Sequence, residues 1–345
     1  MEPNMSDVTQ YQCVFITGAK GFIGQALVER YRRLGAEVRG LDLMAAPELG
    51  IVAGDIDRPE TWQSQLDGCD LVIHTAAVVS NTAPMDVAWQ VNVQATQRLL
   101  ALAESKGVKR FVHLSSVAAF GFDFPEGVTE DYPLRAINNP YVDTKIASEH
   151  TVLATHANGK MACTIVRPTD VYGPGSRPWV VLPLAMMKKD QFILPANGKG
   201  VFSPVYIDNL VDGIVLAAEK AVGKGQIFTL GDGIGVSCET FFNFHHRLLG
   251  KKGVPKSVST PVAKLLAEVV GGLFRLFGKP SELGSRTVDM LSRKDTYSIA
   301  KAQSLLGYTP GISLEEGQAR TEAWLKSEGY IEAGESRTQV TADNH

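Results

Sequence analysis

Three glycines spaced three apart, set between an apolar run and an amphipathic one, constrain this chain more than any other feature. Cys13–Thr17 is apolar almost throughout and reads as a buried strand. It leads directly into Thr17-Gly-Ala-Lys-Gly-Phe-Ile-Gly24, after which residues 22–34 carry helical spacing until Gly35 stops them. Strand, glycine turn and helix in that order form a floor for a dinucleotide pyrophosphate. Gly18 permits the tight turn, Gly21 lets the backbone approach the phosphates, and Gly24 lets helix and strand pack closely. The N–H groups of the first helical turn, opened by Phe22 and Ile23, supply partial positive charge.

The pattern continues. Residues 37–42, 50–54, 71–75, 111–114 and 163–167 read as further strands, with helices predicted over 86–105 and 140–156. Strands alternating with helices specify an α/β fold, a Rossmann-type doubly wound parallel sheet with ligands at the carboxyl edge of its strands. After Pro168 the regularity breaks at Gly173, Pro174, Gly175, Pro178, Pro183 and Pro195. A strand at 205–207, a helix at 209–221 and a strand at 226–230 follow, then apolar helices near 239–249 and 262–277. The expected organisation is a disordered amino terminus over 1–10 and a dinucleotide-binding domain over 11–170, to which parts of 200–235 return. A smaller mixed α/β substrate lobe over 171–330 and a flexible tail over 331–345 complete it.

The second strand ends in Asp42, eighteen residues after Gly24. A carboxylate there accepts hydrogen bonds from ribose hydroxyls and repels a 2′-phosphate. Leu43, Met44, Ala45 and Ala46 follow it without an arginine, so NAD is expected in preference to NADP. Asp55 and Ile56 after the third strand are candidates to frame the adenine. Ala76 and Ala77 after the fourth are small enough for backbone to pass beneath the cofactor.

Moving a hydride to or from a carbonyl carbon requires a partner that moves a proton on the oxygen. Tyr141 and Lys145 stand one helical turn apart, a phenol and an ammonium on one face. A free phenol titrates near pKa ~10, and a neighbouring cation favours its ionised form. Such a pair occurs on many helices. It acquires meaning here from the glycine turn upstream and from Ser115 and Ser116 at the end of the fifth strand, where a hydroxyl would meet the substrate oxygen.

With these residues in place the chain resembles the extended short-chain dehydrogenase/reductases, the NAD-dependent epimerase/dehydratases, over about residues 12–325. The resemblance rests on the glycine motif, Asn92-Val-x-x-Thr96, His113-Leu-Ser-Ser-Val-Ala-Ala-Phe-Gly121 and Tyr141-x-x-x-Lys145. Arg167-Pro-Thr-Asp-Val-Tyr-Gly-Pro174 and Val205-Tyr-Ile-Asp-Asn209 complete it. It implies Ser116 as the catalytic hydroxyl beside Tyr141 and Lys145, with Lys145 also holding the nicotinamide ribose. It places Pro168 at the nicotinamide amide, and Asn92 either near the cofactor or tying a helix to the sheet. It also implies a homodimer formed through packed helices that include the Tyr141 helix.

Two departures bear on substrate. Sugar-nucleotide members of the family usually have asparagine where this chain has Asp170, and a diphosphate-gripping arginine where it has Phe202. A carboxylate gained and a cation lost both oppose a diphosphate. Trp179, Phe202 and the apolar residues near them would suit an apolar body instead. The chain thus most resembles the 3β-hydroxysteroid dehydrogenase branch, which interconverts hydrophobic secondary alcohols and ketones. The alternatives are a sugar-nucleotide epimerase or dehydratase with tightly bound NAD, and a reductase of 2-alkyl-3-oxoalkanoates or flavonoid-like ketones.

A net charge of -3 gives no electrostatic case for nucleic acid, and no metal-ligand spacing is present. Cys13, Cys69, Cys163 and Cys238 are scattered, as expected of reduced thiols in a cytoplasmic protein, and residues 1–10 lack the pattern of a secretory signal. The stretch 262–277 is too short to span a bilayer comfortably and carries Lys264, Glu268 and Arg275, yet it could rest weakly on a membrane surface.

Overall fold

A computed structural model describes residues 11–277, 282 and 284–332. Residues 1–10 and 333–345 lie outside the described residues, and with them the expectations of a disordered amino terminus and, past Ile331 and Glu332, of a flexible tail.

In chain order the elements are β1 (Cys13–Thr17), α1 (Phe22–Arg33), β2 (Glu37–Asp42), β3 (Ile51–Ala53), β4 (Leu71–His74), α2 (Met85–Trp89), α3 (Ala95–Ser105), β5 (Arg110–Leu114), α4 (Pro140–Ala157) and β6 (Ala162–Pro168). There follow β7 (Asp170–Tyr172), α5 (Leu182–Lys188), β8 (Val201–Phe202), β9 (Pro204–Tyr206), α6 (Ile207–Glu219), β10 (Ile227–Leu230), β11 (Val236–Ser237) and α7 (Cys238–Leu248). The last are α8 (Thr260–Leu276), α9 (Ser285–Met290) and α10 (Leu314–Ser327).

Seven strands pair in parallel in the order β10-β6-β5-β4-β1-β2-β3. Helices cover both faces, which is why β1, β4 and β5 are buried at every position and mostly apolar, their few polar residues (Thr17, His74, Arg110, His113) being buried too. From β1 the chain winds outward to β3, then returns across β1 to β4. That reversal opens a crevice at the carboxyl ends of β1 and β4, and the glycine turn sits there. β10 joins the sheet beside β6, so the chain returns to it after the lobe has begun.

Buried histidines pin the layers. His74 bonds Thr17 Oγ1 at 2.7 Å and Thr96 Oγ1 at 2.8 Å, joining β4 to β1 and α3. Burial, and secondarily the Lys145 cation, push its pKa down to about 3, so the ring is neutral. His113 similarly bonds Ser148 Oγ at 3.0 Å and ties β5 to α4. The helix expected over 86–105 is present as α2 and α3 joined by a π-helical turn at Gln90–Gln94, which carries Asn92 inward.

Phe202 does not line a pocket. It is fully buried, stacked on Phe241 at 3.8 Å between ring centroids, with Trp179 edge-on at 5.0 Å and Phe242 edge-on at 5.9 Å. β8 is only two residues long, and its aromatic ring packs against Phe241 and Phe242 of α7. Trp179 is half-buried and packs its edge on this cluster. Phe202→Ala should therefore lower unfolding free energy by about 3–5 kcal/mol in denaturant titration while leaving the NAD affinity of the folded protein unchanged. A pocket-lining ring would show the reverse, an altered KM at nearly constant stability.

Candidate active site

Gly18 has φ +66°, and a Cβ there would stand 2.8 Å from Ala76 N and 2.7 Å from Thr75 Oγ1. At Gly24 a Cβ would fall 2.1 Å from Gly18 O. The turn therefore brings the β1 end, the start of α1 and the segment after β4 to backbone contact, which any side chain would prevent. α1 begins after Gly21 with no side-chain cap, so its first N–H groups face the crevice. Phe22 and Ile23 are half-buried, and Ala76 and Ala77 lie half-buried opposite the turn. Such a cradle fits a pyrophosphate.

Asp42 closes this side. Its Oδ2 accepts from Lys20 N at 2.9 Å and its Oδ1 from Leu43 N at 2.8 Å, which fixes the carboxylate at the β2 end with lone pairs left for ribose hydroxyls. Lys20 was not singled out by the sequence pattern, although its backbone orients Asp42. Asp55 is exposed, and its Oδ1 accepts from Asp57 N at 3.0 Å in a local turn. The Ile56 side chain is 7% exposed and packs in the core with Leu41, Trp62 and Leu66, leaving its backbone as the part that could border an adenine.

Asn92 resolves to one of its two readings. Its Oδ1 accepts from Val78 N at 2.7 Å, and its Nδ2 donates to Val78 O at 3.0 Å and Thr144 Oγ1 at 2.9 Å. The amide is buried and committed to the protein. It is a brace between the segment after β4 and α4, and not a direct cofactor contact.

Across the crevice, Asn139 caps α4 by accepting from Tyr141 N at 2.9 Å and Val142 N at 3.1 Å, and Pro140 occupies the first turn. The capped helix places the Tyr141 phenol where the Ser116 hydroxyl acts to lower its pKa. Ser116 Oγ also accepts from Ala118 N at 3.1 Å, which holds it at the start of the 3-10 turn Val117–Phe120. Lys145 is buried, donates to Leu114 O at 2.7 Å, and lies 5.9 Å from the Tyr141 ring centroid. Desolvation raises the Tyr141 pKa above its ordinary value, partly offset by the nearby Ser116 hydroxyl. Burial lowers Lys145 to about 8, against the pull of Glu149. Pro168 ends β6 within the core at the same sheet edge.

This arrangement spans the stretch that one family model recognises. The model described as the NAD dependent epimerase/dehydratase family matches residues 14–231, from β1 to the end of β10. The chain belongs to the NAD-dependent epimerase/dehydratase family. It is 29% identical to the 3 beta-hydroxysteroid dehydrogenase/Delta 5-->4-isomerase of Mycobacterium tuberculosis, with 97% of this chain and 96% of that one covered. It is 28% identical to the 2-alkyl-3-oxoalkanoate reductase of Stenotrophomonas maltophilia, over 90% of this chain and 98% of that one. Among solved structures it is similar to MoeE5 in complex with UDP-glucose and NAD, with a TM-score of 0.73 and 26% identity over 91% of this chain and 99% of that one.

Within this family site two inner charges are resolved only by the fold. Glu149, one turn beyond Lys145 on α4, accepts from Arg167 Nε at 2.9 Å and Nη2 at 2.7 Å, and from Ser115 Oγ at 2.5 Å. Ser115 therefore points inward, leaving Ser116 as the hydroxyl beside Tyr141. Asp170 likewise does not face a ligand. It is 5% exposed, its Oδ2 accepts from Ser203 N at 3.0 Å and from Arg293 Nη2 at 2.5 Å, and Arg293 Nη1 donates to Tyr297 at 3.0 Å. A buried carboxylate without a cation is strongly disfavoured, so Asp170 turns to Arg293.

Two outcomes follow. In the protein without cofactor, the difference in phenolate absorbance between wild type and Tyr141→Phe should show no Tyr141 ionisation below the ordinary phenol range. Glu149→Gln should lower unfolding free energy by about 3–5 kcal/mol, because it leaves Arg167 buried without a counter-charge. Denaturant titration reads this directly.

Proposed function

We propose that this protein is an NAD-dependent oxidoreductase that interconverts a hydrophobic secondary alcohol and its ketone, of the 3β-hydroxysteroid type. The observation that carries this reading is the Asp170–Arg293 pair. A guanidinium near the substrate lobe could grip a diphosphate, but here it is held by a buried carboxylate and Tyr297. The nearly full-length likeness to a steroid dehydrogenase and a 2-alkyl-3-oxoalkanoate reductase supports an apolar substrate. The cradle, built around Gly18, Gly24 and Asp42, fits NAD.

NAD, when bound, supplies the acceptor for the carbinol hydride. The chain's own residues handle the proton. Ser116 hydrogen-bonds the substrate oxygen and orients it toward Tyr141. The Tyr141 phenolate takes the hydroxyl proton as the C–O bond becomes a carbonyl. Lys145, held by Leu114 O, sets its positive charge near the phenol and favours the ionised form. In the reductive direction Tyr141 returns the same proton to the carbonyl oxygen.

Likeness to MoeE5 favours a second reading, in which a sugar nucleotide is oxidised and re-reduced without net NADH. One assay separates them. Purified protein is mixed with NAD and a 3β-hydroxysteroid, a 17β-hydroxysteroid, a long-chain secondary alcohol or UDP-glucose, and absorbance at 340 nm is followed. NADH should form with an apolar alcohol, and Tyr141→Phe should slow this by about 10²–10⁴-fold with NAD still bound. Turnover of UDP-glucose to an epimer, with no response to the apolar alcohols, would overturn the proposal.

A further inference from the structure

α8 is mounted with its apolar side outward. The docked edge is polar: Lys264 Nζ lies 2.7 Å from Asp289 Oδ1 on α9, and Glu268 Oε1 accepts from Ser285 N at 2.9 Å. Opposite that edge, Val262, Leu265, Val269, Leu273, Leu276 and Phe277 recur at spacings of three and four along one stripe. Leu265 is 66% exposed, Leu273 51% and Leu276 78%. Single exposed apolar residues are ordinary on any protein, but a contiguous helical stripe of them marks a binding surface. Among the described residues no helix is long and apolar enough to cross a membrane.

The charges beside the helix identify that surface. Lys252 and Lys256 are exposed on the segment that leads into α8. Lys256 O accepts from Leu194 N at 2.8 Å, which holds this segment against the residues following α5, where Lys188 and Lys189 are exposed. Arg247 is exposed near the end of α7. Two of the carboxylates alongside are matched, Asp190 by Lys251 at 2.6 Å and Asp289 by Lys264. A chain of net charge -3 thus gathers excess positive charge at the amino-terminal approach to its one outward apolar helix among the described residues. A second copy would bring the same cations with it. An anionic lipid surface complements both features, with phosphates for the cations and acyl chains for the stripe.

We propose that α8 is an interfacial helix that seats this protein on an anionic bilayer, its apolar stripe in the headgroup boundary and the lysines around 252–256 on lipid phosphates. The inference rests on the helix and its cations, and holds for either reading of the substrate.

The test is co-sedimentation of the full chain with phosphatidylcholine vesicles, with and without phosphatidylglycerol, at low and high salt. Binding to the anionic vesicles should be at least about tenfold tighter than to the neutral ones, and should weaken with salt. Leu265→Glu with Leu273→Glu should abolish it while NAD affinity stays unchanged. Lys252→Glu with Lys256→Glu, which leaves α8 intact, should weaken it by about tenfold or more, and decides the matter if the first variant folds poorly. Absence of binding to either vesicle, or equal binding by the lysine variant, would overturn the proposal. So would a concentration-dependent dimer that the α8 variant dissociates, because the stripe would then belong to a second copy.

Discussion

The ion pair between Glu149 and Arg167 is the constraint on which the active site depends. Both side chains are 1% exposed, and the carboxylate takes two guanidinium hydrogen bonds and one from Ser115. Arg167 also lies over the Phe120 ring at 4.7 Å. A buried pair of this kind adds little net stability, because desolvation offsets most of its attraction. What it sets is geometry. Glu149 belongs to α4, Arg167 to β6, Ser115 to the end of β5 and Phe120 to the turn that Ser116 caps. Four segments that converge on the proton site are therefore fixed by one carboxylate, and Lys145 stands one helical turn from it. That proximity has an electrostatic side as well: the Glu149 charge opposes the desolvation that would otherwise strip Lys145 of its proton.

From this centre the connection to the substrate lobe runs through aromatic rings. Phe120 and Phe124 pack on Tyr297 at 5.9 and 4.7 Å between centroids. Tyr297 accepts from Arg293, and Arg293 reaches Asp170 two residues beyond Pro168. The backbone reinforces the seam, with Ser298 N donating to Val128 O at 3.0 Å. Loss of any member would be felt at both ends, since the wall behind Ser116 and the start of β7 share these contacts.

What the sequence made legible follows from how local each signal is. The strands of the sheet and the glycine turn are written in consecutive residues, so their types and places could be read directly, and β2 matches at both ends. The π-helical turn at Gln90–Gln94 leaves no mark in periodicity, because one inserted residue shifts a helical pattern only slightly. Phe202, Asp170 and Ile56 each sit at a ligand-facing distance from a recognisable motif. Distance along the chain does not report which way a side chain turns, and the deciding partners lie far away: Arg293 for Asp170, Phe241 for Phe202. Glu149 did have a signal. A carboxylate four residues after a lysine, on a helix face that must pack against a sheet, requires a buried cation. Arg167 in an otherwise apolar strand was the complementary half.

The proton machinery and the choice of substrate are carried by different parts of the chain. Ser116, Tyr141 and Lys145 lie on the carboxyl edge of the sheet and on α4, held from beneath by Glu149 and Arg167. Nothing in that set distinguishes a steroid from a sugar nucleotide, because both present a secondary alcohol to the same phenol. Discrimination must then come from residues beyond Pro168, where the spacing is irregular and the aromatic residues are drawn into their own core. There the decisive quantity is whether a positive charge remains free for a diphosphate. Arg293 does not remain free, because it is paired with Asp170 and bonded to Tyr297, and separating the pair would leave two buried charges without partners. Held by Asp170 and Tyr297, Arg293 offers no free guanidinium at this point of the lobe, which is what favours the proposed apolar substrate over a diphosphate.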